Sequence, residues 1–126
     1  MKAIGQRQWV IPGGHVPGTS TGAEPEFTSF DQVCILNSGD KEAEIEITIY
    51  HTDREPVGPY PLTIGARRVR HTRINDLINP LAVPLDTDYA AVIESNVPIV
   101  VLFSRQDTRQ TANAIAFTLA FPAERT

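Results

Sequence analysis

The sequence predicts an all-β fold: a two-sheet β-sandwich of about seven or eight short strands, with a jelly-roll-like barrel as the nearest alternative. Three observations predict it. Apolar residues recur with period two or in short continuous runs. Gly, Pro, Asn and Asp punctuate these runs about every ten residues. No long stretch keeps a helical period. At 126 residues the chain is one domain, 1–126, with 1–6 and 122–126 expected to fray.

The first strand is expected at Arg7–Ile11. The segment "IPGGHVPGTSTGAEPEFTSF" follows, and its four glycines and three prolines predict a long irregular loop bordering whatever site exists. "VCILN", Val33–Asn37, has no polar alternation and reads as a strand buried on both sides; "NSGD" then turns it into a hairpin with the next. That next strand, "EAEIEITIYH", is the clearest. Ile45, Ile47, Ile49 and His51 share one face, and Glu44, Glu46, Thr48 and Tyr50 share a solvent face. Further strands are expected at Pro61–Ile64, Arg67–Ile74, Ala90–Ser95, Pro98–Arg105 and Ala114–Phe121, with "SNVP" turning between the two around it. The apolar "AIAFTLAF" suits a core or a subunit interface. Helix is confined to a turn near "RINDLINPL" and part of "DTRQTANA", where Asp107 is placed to cap.

Composition narrows the function. The longest apolar run, "VPIVVLF", is far shorter than the ~20 residues of a membrane span. The absence of a signal-like segment and the single Cys34 point to the cytoplasm. A net charge of −4 disfavours nucleic acid, and Phe103, Phe117 and Phe121 read as core rather than as stacking platforms. No nucleophile elbow or P-loop occurs, and Cys34 reads as a neutral buried thiol, so no enzyme is expected. His51 and Asp53 form an H-x-D pair, with His71 or His15 as a third ligand, too common a pattern to assign a metal; no cofactor is expected either.

The unusual word is "RRVRHTRIND", Arg67–Asp76, with four of the eleven basic residues and one of three histidines. Strand parity puts Arg67, Val69, His71, Arg73 and Asn75 on one face and Arg68, Arg70, Thr72 and Ile74 on the other, so neither face is cleanly apolar. Two readings stand. One is an edge strand whose charges discourage edge-to-edge pairing, or pair with Glu44, Glu46, Glu55 or Asp76. The other is one wall of a cleft in which Arg forks and an imidazole recognise carboxylate, phosphate or sugar hydroxyls. "SRQDTRQ" adds Arg105, Asp107 and Arg109 to that cleft, and Trp9 and Tyr60 are candidates for stacking on a sugar ring.

Four words, "PEFTSFDQVCILNSGD", "EITIYHTDREPVGPYPLTIGARRVRHTRINDL", "DTDYAAVIESNVPIVV" and "RQDTRQ", resemble the sensory rhodopsin transducer family from Trp9 to about Ala114. The resemblance implies a β-sandwich that assembles as a homotetramer. It also implies a non-enzymatic signalling module for a small polar, sugar-like or anionic ligand. The family's polar words fall on Trp9, Glu26, Asn37, Glu55, Arg67, Arg68, His71, Arg73, Asn75, Asp76, Arg105, Asp107 and Arg109. Of these, Trp9, Glu26, Arg67, His71, Arg73, Asn75, Arg105 and Arg109 are the expected ligand-binding residues. The alternative is a soluble transducer that docks on a membrane sensory rhodopsin. The chain departs from the family's pattern at "GGHVPG", with His15, and at "VVLFSR", with Leu102 and Phe103.

Overall fold

The computed structural model describes residues 2–18, 29–107 and 114–123, with backbone only at 107 and 114–119. Its strands are β1 (Gln6–His15), β2 (Phe30–Asn37), β3 (Ala43–His51), β4 (Val57–Ile64), β5 (Arg68–Arg73), β6 (Asp88–Asp107), β7 (Ala114–Leu119) and β8 (Phe121–Pro122). One 3-10 turn, Ile74–Asp76, follows β5, and no α-helix occurs among the described residues. This is the predicted all-β sandwich.

Its two sheets share a strand. The first half of β6 pairs with β1 and β3 to build the order β4-β3-β6-β1-β8; the second half pairs with β2 and β7 to build β5-β2-β6-β7. The turn expected at "SNVP" does not form, and β6 runs 20 residues through it. The reason is local. Pairing with β3 ends at Ser95 and pairing with β2 starts at Val100, so Pro98, which has no N–H to donate, sits where the strand changes sheets.

Alternation then decides what is buried. Ile45, Ile47 and Ile49 of β3 are at most 1% exposed, and with Ile93, Val33, Ile35, Val101 and Phe103 they fill the space between the sheets. In β2 the alternation overrides the apolar run: Val33 and Ile35 are buried, whereas Cys34 is half-buried and Leu36 exposed, so this strand is not buried on both sides. The expected hairpin between β2 and β3 is also absent, because "NSGD" carries the chain from one sheet to the other.

Two further expectations change. Ile11–His15 belongs to β1, which accommodates Pro12 and Gly13 at a register shift before Gly14; of the remainder of that glycine-rich segment, 19–28 lie outside the described residues. Phe121 is exposed rather than core, and the side chain of Phe117 lies outside the description. Near the ends of the described residues, Ile4 donates its N–H to Ser38 Oγ, and Ala123 donates to the Gln8 carbonyl. The possible cap by Asp107 concerns 108–113, also outside the described residues.

The turn between β2 and β3 is clamped by Asn37, which is fully buried. Its Nδ2 donates to the carbonyls of Lys41, Ile64 and Gly65, and its Oδ1 accepts from Gly39 N–H. It thus joins the β2 end to the β4–β5 connection. Replacing it by Ala orphans these backbone groups, each worth about 1–3 kcal/mol when left unsatisfied. Asn37→Ala is therefore expected to lose at least about 2 kcal/mol in urea unfolding.

Candidate cleft beside the arginine-rich edge strand

Among the described residues β5 pairs only with β2, which makes "RVRHTR" an edge strand there, and Arg68 to His71 are exposed. A row of charges along an open edge resists unwanted strand pairing, which accounts for polar residues on both faces. Ile74, fully buried just beyond, anchors the strand's end. At the other end Arg67 adopts φ 55° in the preceding turn, donates its N–H to the Gly39 carbonyl and pairs with Asp40 at 2.7 Å.

The edge strand of the other sheet, β4, lies across the opening of the sandwich, and Arg70 Nη1 reaches the Thr63 carbonyl there at 3.2 Å. Between the two edges is an open cleft of about 680 Å³. Its polar wall is Gln32, Arg70, His71, Arg73 and Asp76; its apolar wall includes Pro61, Leu62, Leu77 and Ile78. Arg73 lies with its guanidinium carbon 4.2 Å from the centre of the Phe30 ring, a stacking contact that orients it. Tyr60 also lines the cleft, but it is 2% exposed and donates its hydroxyl to the Leu81 carbonyl. Burial raises its phenol pKa. Two guanidiniums and an imidazole against one carboxylate make the cleft suited to a small anion bearing hydroxyl groups.

A second polar group lies within the sandwich. Asp31 sits on the same face of β2 as Val33 and Ile35 and is fully buried. Its carboxylate accepts from Arg105 Nε at 2.9 Å, Tyr89 Oη at 2.7 Å and His15 N–H at 2.9 Å. A buried charge is tolerated only with such partners. Burial first, then the adjacent carboxylate, pushes the Tyr89 phenol far above its ordinary value, so it remains a neutral donor. Gly14 is required beside it, because a Cβ there would lie 2.1 Å from the Tyr89 ring. Asn75 extends the network: Asp31 N–H donates to its Oδ1 at 3.4 Å, and its Nδ2 donates to the Ser29 carbonyl.

The expected site residues therefore separate. His71 and Arg73 meet at the cleft, joined by Asp76 and by Arg70. Asn75 and Arg105 belong to the Asp31 network. Arg67 is at the turn, and Arg68 donates to the Arg67 carbonyl. Trp9 is 6% exposed, with its indole N–H shared by the carbonyls of Gln6 and Ile99, so it packs in the core away from the cleft. Glu55 is exposed between β3 and β4, and Glu26, Arg109 and the side chain of Asp107 lie outside the described residues. Gln32, Arg70 and Asp31 were not among the expected binding residues. A signal for Asp31 existed, since a carboxylate in register with Val33 and Ile35 must point inward.

His51 ends β3 with its Nδ1 buried and without a partner among the described residues, while Asp53 pairs with Arg54 at 3.1 Å, which lowers the Asp53 pKa. No group of three or more metal-ligating side chains converges among the described residues.

Two outcomes follow from this geometry. Arg105→Met removes the ion-pair partner of the buried Asp31 carboxylate, and is expected to cost about 3–5 kcal/mol in chemical unfolding. Burial raises the Cys34 thiol above its ordinary value. It is therefore protonated at neutral pH, and its labelling rate by a disulfide reagent should climb steeply only as pH passes the usual thiol range.

Comparison with known proteins places this geometry in context. None of the curated proteins matches the chain. The family model described as Anabaena sensory rhodopsin transducer matches residues 4–122. A solved structure of the Anabaena sensory rhodopsin transducer is 53% identical, covers 80% of this chain and 95% of that one, and superposes with a TM-score of 0.73. The crystal structure of Thermotoga maritima 1070 is 30% identical over 97% of this chain and 98% of that one, with a TM-score of 0.82. Sequence pattern and three-dimensional shape agree with the resemblance carried by residues 46–77, and the chain belongs to the sensory rhodopsin transducer family.

Proposed function

We propose that the protein is a non-enzymatic, cytoplasmic signalling module that binds a small sugar-like or anionic ligand in the cleft beside β5 and reports it through a homotetramer. The observation that carries this reading is the convergence of Arg70, His71 and Arg73 on one open cleft, with Asp76 and Gln32 completing its polar wall. The guanidiniums would hold a carboxylate or phosphate, Asp76 would accept from hydroxyls, and Leu62 and Leu77 would take the ligand's apolar face. Arg67, Trp9, Asn75 and Arg105 support the scaffold instead of touching the ligand, and no cofactor enters the scheme.

A second reading is docking on a membrane sensory rhodopsin, favoured by the 53% identity to the Anabaena transducer. Among the described residues no helix is long and apolar enough to cross a membrane, so in this reading the receptor supplies the membrane part.

Thermal unfolding against sugars, sugar acids, sugar phosphates and nucleotides distinguishes the two. A ligand at 100 times its dissociation constant should stabilise the native state by about 2.7 kcal/mol. We expect that shift with one chemical class, and its loss in Arg70→Ala and Arg73→Ala without unfolding. No shift with any class, together with co-purification of the protein with a detergent-solubilised sensory rhodopsin, would overturn the ligand reading in favour of docking.

A further inference from the structure

The cations of the cleft reach it from both sides of one strand. His71 and Arg73 share a face of β5 and Arg70 has the opposite one, yet all three line the same opening, because the cleft lies at the strand's outer margin. Arg70 is held across that opening by the Thr63 carbonyl on β4, and Arg73 by its contact with the Phe30 ring. A carboxylate is planar and satisfies one guanidinium fork with its two oxygens. A phosphate monoester instead presents three acceptor oxygens in three directions. Donors that arrive from two faces of a strand match the second shape.

Charge points the same way. Two arginines stand against the single carboxylate of Asp76, so with a neutral His71 the lining carries one net positive charge. A dianion is matched only when the imidazole is charged as well. Imidazole changes its charge near neutral pH, and an adjacent anion favours the protonated ring. The other titratable groups facing His71 are Cys34, its cross-strand partner on β2, Tyr60 on β4 and Asp76 on the 3-10 turn. Burial raises both the Cys34 thiol and the Tyr60 phenol, so these two are already protonated.

Resting on the ligand reading above, we propose that this cleft takes a phosphate monoester of a hydroxyl-bearing molecule, bound as the dianion, and that His71 gains a proton from solvent as it binds. The phosphoryl oxygens lie among Arg70, His71 and Arg73, while Asp76 and Gln32 meet the hydroxyl groups. Monocarboxylates and neutral sugars leave part of this donor set unmatched and bind more weakly. Affinity for the phosphate falls as pH rises through the neutral range, because His71 must then be protonated against a lower proton activity. Below about pH 6 the phosphate itself gains a proton, so the dependence is read above that value.

Titration calorimetry of the whole chain at about pH 7.5, where a phosphate monoester is a dianion, in two buffers of different ionisation enthalpy counts the protons exchanged. Glucose-6-phosphate, ribose-5-phosphate, gluconate and glucose are the probes. A sugar phosphate should bind at least about tenfold more tightly than gluconate, the worth of one charge-assisted hydrogen bond, and with net proton uptake. His71→Gln should remove the uptake and weaken sugar phosphate binding with thermal stability unchanged, since His71 is exposed. His15, bonded to Asp88, and His51 lie outside the cleft, so uptake lost in this variant belongs to His71. Arg70→Gln should weaken the sugar phosphate more than gluconate. Gluconate binding as tightly as the sugar phosphates, or uptake that is absent or persists in His71→Gln, would overturn this assignment while leaving a ligand cleft standing. No binding by any sugar, sugar acid, sugar phosphate or nucleotide would overturn both.

Discussion

The rest of the sandwich depends on β6. Among the described residues it is the one strand that hydrogen-bonds in both sheets, and β1, β2, β3 and β7 all align on it. Because its register with β3 ends before its register with β2 begins, the passage at Asn96–Pro98 needs few backbone partners. The passage uses what it has: Asn96 Oδ1 accepts from Glu44 N–H, and Val97 N–H donates to Ser95 Oγ. With one strand rigidly shared, the two sheets cannot slide, and the edges β4 and β5 are held across from each other at a fixed opening. The cleft is a consequence of that constraint.

Within this frame the polar residues divide by burial. Asp31 ties both halves of β6 to β1 and β2, through Tyr89, Arg105 and the His15 amide. Its link to Asn75 places the 3-10 turn, and that turn carries Asp76 into the cleft. A charge that cannot reach water thus supports a site whose charges can. Arg70, His71 and Arg73 lie at the rim of the cleft, where a ligand can reach them.

The sequence announced the strands and much of β5's character, because period-two alternation in "EIEITIYH" and crowded arginines at Arg67–Arg73 each have one dominant physical reading. It misjudged "SNVP", where a proline usually signals a turn, because pairing partners are a tertiary property. The same blindness hid the absence of a β2–β3 hairpin. Arg105 and Trp9 looked like ligand contacts by residue type, yet their partners, Asp31 and the Ile99 carbonyl, are 74 and 90 residues away. Side-chain type alone cannot distinguish a guanidinium that holds a ligand from one that neutralises a buried carboxylate.

The central claim is that binding occurs between the edges of β4 and β5. The most direct measurement is the change in backbone amide NMR shifts on adding a stabilising sugar acid or sugar phosphate. The account predicts changes concentrated at Arg70–Arg73, Asp76–Asn79 and Tyr60–Leu62, with the amides around His15 and Asp88 unmoved. Changes confined to the outer face around Glu94 and Phe121, with β5 silent, would contradict it.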